Sequence, residues 1–206
     1  METAEGNVSF IRKYYPNGQL KAEVQVEFNR RNGLARSFYE DGSLRQSIEY
    51  LNGLKHGEAR TYYENGNLFM VSGYKHNQLH GIRERYHPNG QLMSEAPFFE
   101  DKPTVGLREY LLDGTPRKYY PIIVVEQDGQ LASGQLRFKV SLSDGTKRVK
   151  YFAGHLHPEG YIDRADELET HQEGETYVNV ELPRDRAATE RISLIAEVKT
   201  LQGNTY

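Results

Sequence analysis

The chain of 206 residues contains no cysteine. That absence excludes disulfides, thiolate zinc sites, iron–sulfur clusters and cysteine nucleophiles, and it fits a cytoplasmic location. The opening residues, METAEGNVSFIRK, have neither the basic start nor the apolar run of a signal peptide. No apolar stretch of about 20 residues occurs anywhere, so no membrane-spanning helix and no integral membrane association are expected. Neither sign of charge dominates: 26 basic side chains face 29 acidic ones, for a net charge of -3. Such a balance gives no electrostatic footprint for nucleic acid. Also missing are a G-x-S-x-G elbow, a P-loop, a G-x-G-x-x-G turn and an H-E-x-x-H helix. Carboxylates are plentiful but none is privileged. The expectation is a protein that is not an enzyme and uses no cofactor.

What the chain does have is self-similarity, the mark of a repeat architecture. The segments YYPNGQL from Tyr14, FYEDGSL from Phe38, YYENGNL from Tyr62, YHPNGQL from Tyr86 and YLLDGTP from Tyr110 place Gly18, Gly42, Gly66, Gly90 and Gly114 at a spacing of 24. A second glycine column, Gly33, Gly57 and Gly81, keeps that period and slips by one to Gly106. Asn or Asp before the first glycine reads as a two-residue type I′ hairpin turn, since these residues tolerate positive φ. Further turns are expected at Asn52-Gly53, His76-Asn77 and Glu100-Asp101. Past each first glycine the chain alternates with the period of a half-buried strand: Leu20, Ala22, Val24 and Val26 share one face, and Leu44, Gln46, Ile48 and Tyr50 repeat it. That face is the expected core. Two strands per unit, about 4.8 Å apart, predict a long sheet that behaves as a quasi-one-dimensional body.

An aromatic pair, then one residue, Asn or Asp, Gly, one residue and Leu, followed by N-G-x-x-H-G as in Asn52 to Gly57 and then A-R-x-Y-Y, resembles the bacterial variant of the MORN repeat. The resemblance implies an antitoxin of a toxin–antitoxin system, or an immunity protein that neutralises a secreted toxin. Other proteins with MORN repeats tether membranes, bind lipids or scaffold partners. The last unit departs from the pattern, with Pro116 after its turn, Pro97 and Pro103 in its strands and no glycine at position 105. It reads as a degenerate cap.

After Pro121 the period vanishes, which divides the chain into an array over 1–120 and a second domain over 121–206. Strand-like runs start at Ile122 (IIVVE), Leu136 (LRFKVSL), Arg148 (RVKYFAG), Tyr177 (YVNVEL) and Ile192 (ISLIAEVK). Turn signals stand at Asp128-Gly129, Asp144-Gly145 and Glu173-Gly174. The fold class is therefore all-β, an elongated hairpin array followed by a small antiparallel β-sandwich of immunoglobulin-like architecture. Asp163 to Gln172 reads equally as a short helix capped by Asp163 or as a loop.

The candidate partner-binding face comes from the array. Arg12, Arg36, Arg60 and Arg108 stand six residues before successive turn glycines, and Tyr14, Phe38, Tyr62, Tyr86 and Tyr110 stand four before them. In the fourth unit Glu84 replaces the arginine. Residues two apart share a strand face, so each Arg lies beside an aromatic ring, an arrangement suited to gripping carboxylates on a protein partner. The competing reading is that these arginines pair with Glu23, Glu95 or their neighbours and hold units together. His56, His76, His80 and His87 belong to the repeat and read as turn residues. His155 and His157, with Glu159, Asp163 and His171 downstream, are the best metal candidate, but two imidazoles do not complete a tetrahedral site. The acidic tract from Asp163 to Glu175 does not match a calcium loop.

These readings converge on a protein-binding module, an antitoxin or immunity protein whose array and second domain occlude a cognate toxin. The alternative is a scaffold or membrane-peripheral adaptor using the arginine and tyrosine face on lipid head groups or an assembly partner.

Overall fold

The computed structural model describes residues 8–131, 134–181 and 191–205, and among these every regular element is a β-strand. The leader reading covers residues 1–13, of which 1–7 lie outside the described residues and the rest belong to the first strand. The chain divides into two units, Met1–Arg117 and Lys118–Tyr206.

In the first unit the strands are β1 (Val8–Tyr14), β2 (Leu20–Glu27), β3 (Arg30–Phe38), β4 (Leu44–Leu51), β5 (Leu54–Tyr62), β6 (Leu68–Lys75), β7 (Gln78–Leu79), β8 (Gly81–Tyr86), β9 (Leu92–Phe99), β10 (Lys102–Pro103) and β11 (Arg108–Glu109). They form one antiparallel sheet in which β1 to β6, then β8, β9 and β10, lie side by side in chain order; β7 pairs with β6 and β11 with β9. The core is thin. Val26, Ala59 and Ala96 are its buried apolar side chains among the described residues, joined by the buried Ser72 and Ser94. Leu20, Ala22, Val24, Ile48 and Tyr50 lie on the expected face but stay partly exposed. Hydrogen bonds therefore carry much of the cohesion.

The turns at the first glycine column are not type I′. Of the residues in the loop Tyr15 to Gln19, Gly18 alone has positive φ (85°). The Gly18 N–H donates to the Tyr15 carbonyl and the Tyr15 N–H to the Gln19 carbonyl, the signature of a type I turn closed by a glycine bulge. The preference for Asn or Asp has another cause: Asn17 Oδ1 accepts the Gln19 N–H at 3.0 Å, and Asp41, Asn65, Asn89 and Asp113 do the same two residues on. The true type I′ turns lie at the other end of the hairpins, with positive φ at Phe28 and Asn29, Asn52 and Gly53, His76 and Asn77, and Glu100 and Asp101.

Both ends of the hairpins are stitched from one repeat to the next. The hydroxyls of Tyr15, Tyr39 and Tyr63 donate to the carbonyls of Phe38, Tyr62 and Tyr86 at 2.7 to 2.8 Å. His87 and Leu111 take the next two places in that column and carry no hydroxyl. At the opposite end Asn77 receives the Lys55 N–H on Oδ1 and returns its own N–H to the Lys55 carbonyl, and Asp101 does the same with Leu79. Tyr39→Phe should therefore lower stability by about 1 kcal/mol, since it leaves the Tyr62 carbonyl without its donor. A urea melt of the variant beside Tyr14→Phe, whose ring is exposed at the sheet edge, checks this.

Gly57, in the second glycine column, sits in a bulge rather than a turn: its φ of 98° is in the left-handed region that favours glycine, and the Glu49 side chain crosses where a Cβ would stand. The register shifts at that point, between the pairs of Ile48 with Ala59 and Tyr50 with Lys55, so the Glu49 side chain tucks under a bulge of β5.

The second unit has β12 (Ile123–Gln130), β13 (Leu136–Leu142), β14 (Val149–Leu156), β15 (Ile162–Leu168), β16 (Thr176–Val180) and β17 (Leu194–Val198). They form two antiparallel three-stranded sheets, β12-β13-β16 and β15-β14-β17. Val140 and Leu142 from one sheet and Val149, Tyr151 and Val198 from the other make a single apolar core. Each of the five runs read from the sequence contains a strand; Leu182, at the end of YVNVEL, lies outside the described residues. Of the stretch Asp163 to Gln172, the part up to Leu168 belongs to β15 and pairs with β14 across a register shift near Asp163, and the part from Glu169 on is loop. Asp128-Gly129 is no turn either, and lies inside β12 at a register shift.

Candidate functional site

Strand pairing sets the predicted arginines and rings in a row across the array. Arg12 faces Glu23, which faces Arg36; Arg36 faces Ser47 and Ser47 faces Arg60. Farther along, Glu84 faces Glu95, which faces Arg108. Glu23, largely buried, holds Arg12 at 2.8 Å and Arg36 at 3.7 Å, Arg60 pairs with Glu58 in its own strand, and Arg108 lies 3.9 Å from Glu95. The hydrogen bond that Arg12 donates to Glu23 raises the Arg12 pKa above its ordinary value. These guanidinium groups remain about half exposed or more while partly neutralised within the sheet. Tyr14 is exposed, whereas Phe38, Tyr62, Tyr86 and Tyr110 are partly buried.

The fourth and fifth units differ. Two carboxylates opposite one another in an antiparallel pair repel, and here each accepts a phenol: Tyr86 donates to Glu84 and Tyr110 to Glu95, both at 2.6 Å. Burial, then the bond to Glu84, push the Tyr86 pKa up to about 12. Burial also pushes Tyr151, in the core of the second unit, to about 12. Both phenols keep their proton more tightly folded than unfolded, where the ordinary value is about 10. Their contribution is thus whole below pH 10 and is lost as pH rises toward 12. Urea midpoints should be flat up to pH 9.5 and fall between pH 10 and 12. Tyr86→Phe should flatten the fall for the array.

The opposite face, the one expected to form the core, holds cations that the sequence reading did not single out. The Arg31 guanidinium lies 5.3 Å from the Tyr50 ring centroid and donates to the Tyr50 hydroxyl at 3.3 Å. Lys55 Nζ is 4.9 Å from the Tyr74 ring, and Arg83 is 4.4 Å from the Phe98 ring. In the third unit Leu79 replaces the first cation, and Arg83 supplies one from farther along the chain. Each partner lies well over a dozen residues away in sequence, so local spacing gives no signal. The recurrence of Tyr50, Tyr74 and Phe98 at the period of 24 is the trace that points to them.

Five of the seven histidines pack against rings. His56 and His76 stand ring to ring at 5.2 Å, and His80 packs on Phe99 at 5.3 Å. In the second unit His157 stacks on Tyr161 and His171 meets the edge of Tyr177. His155 ends the regular pairing of β14 and His157 belongs to the following turn, so the two do not share a strand face. They line a shallow cleft with Asp163 and Arg164. Among the described residues no three His, Asp or Glu side chains gather as a metal would require.

Comparison with known protein families gives a match within the array. Residues 11–27, 31–52, 55–76 and 79–100 match the model of the MORN repeat variant. The four matched segments follow the hairpins of the sheet, so the array is built of MORN-type repeats; together they span less than half of the chain. No curated protein and no solved structure matches the chain.

Proposed function

We propose that this chain is a non-catalytic protein-binding module of the antitoxin or immunity type, which neutralises a cognate toxin by covering its active site with the repeat array. One observation carries the reading: a sheet with few fully buried side chains repeats an arginine and an aromatic ring on one exposed face. A fold that invests this little in a core and this much in patterned surface is suited to recognition. An interface of standard size buries about 800 Å² on each partner, an area that a few adjacent hairpins supply. Arginine and tyrosine are favoured at the energetic centres of such interfaces.

The test is capture of a stoichiometric protein from native lysate supplemented with the products of neighbouring genes, followed by co-expression. The expected partner is toxic alone and harmless beside this chain. Retention of lipid, of a structural assembly or of nothing overturns the reading. Replacing Arg36 and Arg60 together with alanine should weaken partner binding at least tenfold and shift the melting temperature by about 2 °C or less, since exposed ion pairs contribute little to stability. Unchanged affinity with collapsed stability would mean that these arginines only hold the units together.

A further inference from the structure

We propose that the face carrying Arg31, Lys55 and Arg83 binds an extended acidic segment of a partner protein, laid across the strands with carboxylates at about every third residue. The two faces of the array differ in how their cations are satisfied. On one, Arg12, Arg36, Arg60 and Arg108 meet carboxylates of the sheet itself. On the other, Arg31, Lys55 and Arg83 meet the rings of Tyr50, Tyr74 and Phe98, and among the described residues they form no ion pair. A ring orients a cation without neutralising it. Positive charge is thus left over on this face.

Arg83 shows the consequence most clearly. Burial, and then the neighbouring Arg85, lower its pKa, and its buried Nε has no hydrogen-bond partner. A carboxylate reaching this guanidinium would satisfy the donor and offset the repulsion.

Spacing then narrows the ligand. Tyr50, Tyr74 and Phe98 lie on β4, β6 and β9, each two strands from the next, so the rings recur at about 9.6 Å, each with its cation within 5.3 Å of the centroid. An extended polyproline II segment advances roughly 9.3 Å over three residues. An acidic side chain at every third position would meet one cation after another.

The experiment uses the full chain and a fluorescein-labelled (Glu-Pro-Pro)5 peptide, read by anisotropy. Saturable binding is expected, weakening about tenfold as salt rises from 50 to 300 mM. The Arg31→Ala/Lys55→Ala/Arg83→Ala variant should lose at least tenfold in affinity. Because Arg83 is half-buried, Arg31→Gln/Lys55→Gln provides a second variant with a milder expected loss of about fivefold, and melting curves establish that both fold. Arg30→Ala/Lys75→Ala, altered at exposed cations on the opposite face, should bind within twofold of the parent chain. Absence of saturable binding, or an equal loss in the opposite-face variant, overturns the proposal. So does displacement of the peptide by a dT15 oligonucleotide or by phosphatidylserine vesicles at lower concentration than by unlabelled peptide. The peptide assay is independent of any toxin: a captured toxin with no peptide binding leaves the function standing and removes this surface, and the reverse result does the opposite.

Discussion

Tyr151→Ala should destabilise the second unit by about 4 kcal/mol, the largest effect expected of any single truncation in this protein. Tyr151 is fully buried where its strand β14 meets the opposing sheet, among Val140, Leu142, Val149 and Val198. Its ring fills the space between two small sheets, and three strands on either side cannot collapse far enough to close the void. The hydroxyl adds a bond to the Gly174 carbonyl at 3.0 Å. Tyr151→Phe keeps the volume and drops that bond, for a loss of about 1 kcal/mol. The ratio of the two losses, read from urea midpoints, separates packing from hydrogen bonding. Similar losses for both would show that the ring is not the centre of this core.

Gly73→Ala should cost about 3 kcal/mol and strike the array at its middle. Strand β6 runs so close to the chain at His80 that a Cβ on Gly73 would stand 2.4 Å from the His80 carbonyl oxygen. That carbonyl is backbone and cannot swing aside, and the same segment is tied down by the bond from the His80 N–H to the Gly73 carbonyl. Gly66→Ala is the instructive comparison. Gly66 has a φ of 84° but nothing within 4 Å of its missing Cβ, so only the left-handed backbone is strained, at a cost of about 1 kcal/mol. Since each repeat contacts only its neighbours, the lesion at Gly73 should weaken the junction around β6 and leave distant hairpins folded. Hydrogen exchange should then rise first in β6, β7 and β8.

The array was legible in the sequence because its order is local. Gly18 and its four successors announce turns, and the alternation of Leu20, Ala22, Val24 and Val26 announces a strand, within a window of a few residues. The type of turn was not legible. Asn17-Gly18 has the composition of a type I′ pair, and only the bond from the Gln19 N–H to the Asn17 side chain shows that the asparagine acts through its amide oxygen. β15 was missed for a different reason. Its apolar residues Ile162, Ala165 and Leu168 fall three apart, and its strand conformation is imposed by pairing with β14, where a Cβ on Gly154 would stand 2.9 Å from Ala165. The cation and ring pairs of Arg31, Lys55 and Arg83 were hidden because each is assembled across strands. Of the arginine row the sequence disclosed the members and the carboxylates Glu23 and Glu95, but not that Glu84 and Glu95 would face one another beneath two phenols.

If the repeat array is the recognition surface, hydrogen exchange on the full chain with and without its captured protein locates the contact there. Slowed exchange in the strands β3 to β6, which carry Arg36 and Arg60, is the predicted result. Protection confined to Lys118–Tyr206, with the array exchanging as it does alone, would put recognition in the second unit and not in the array.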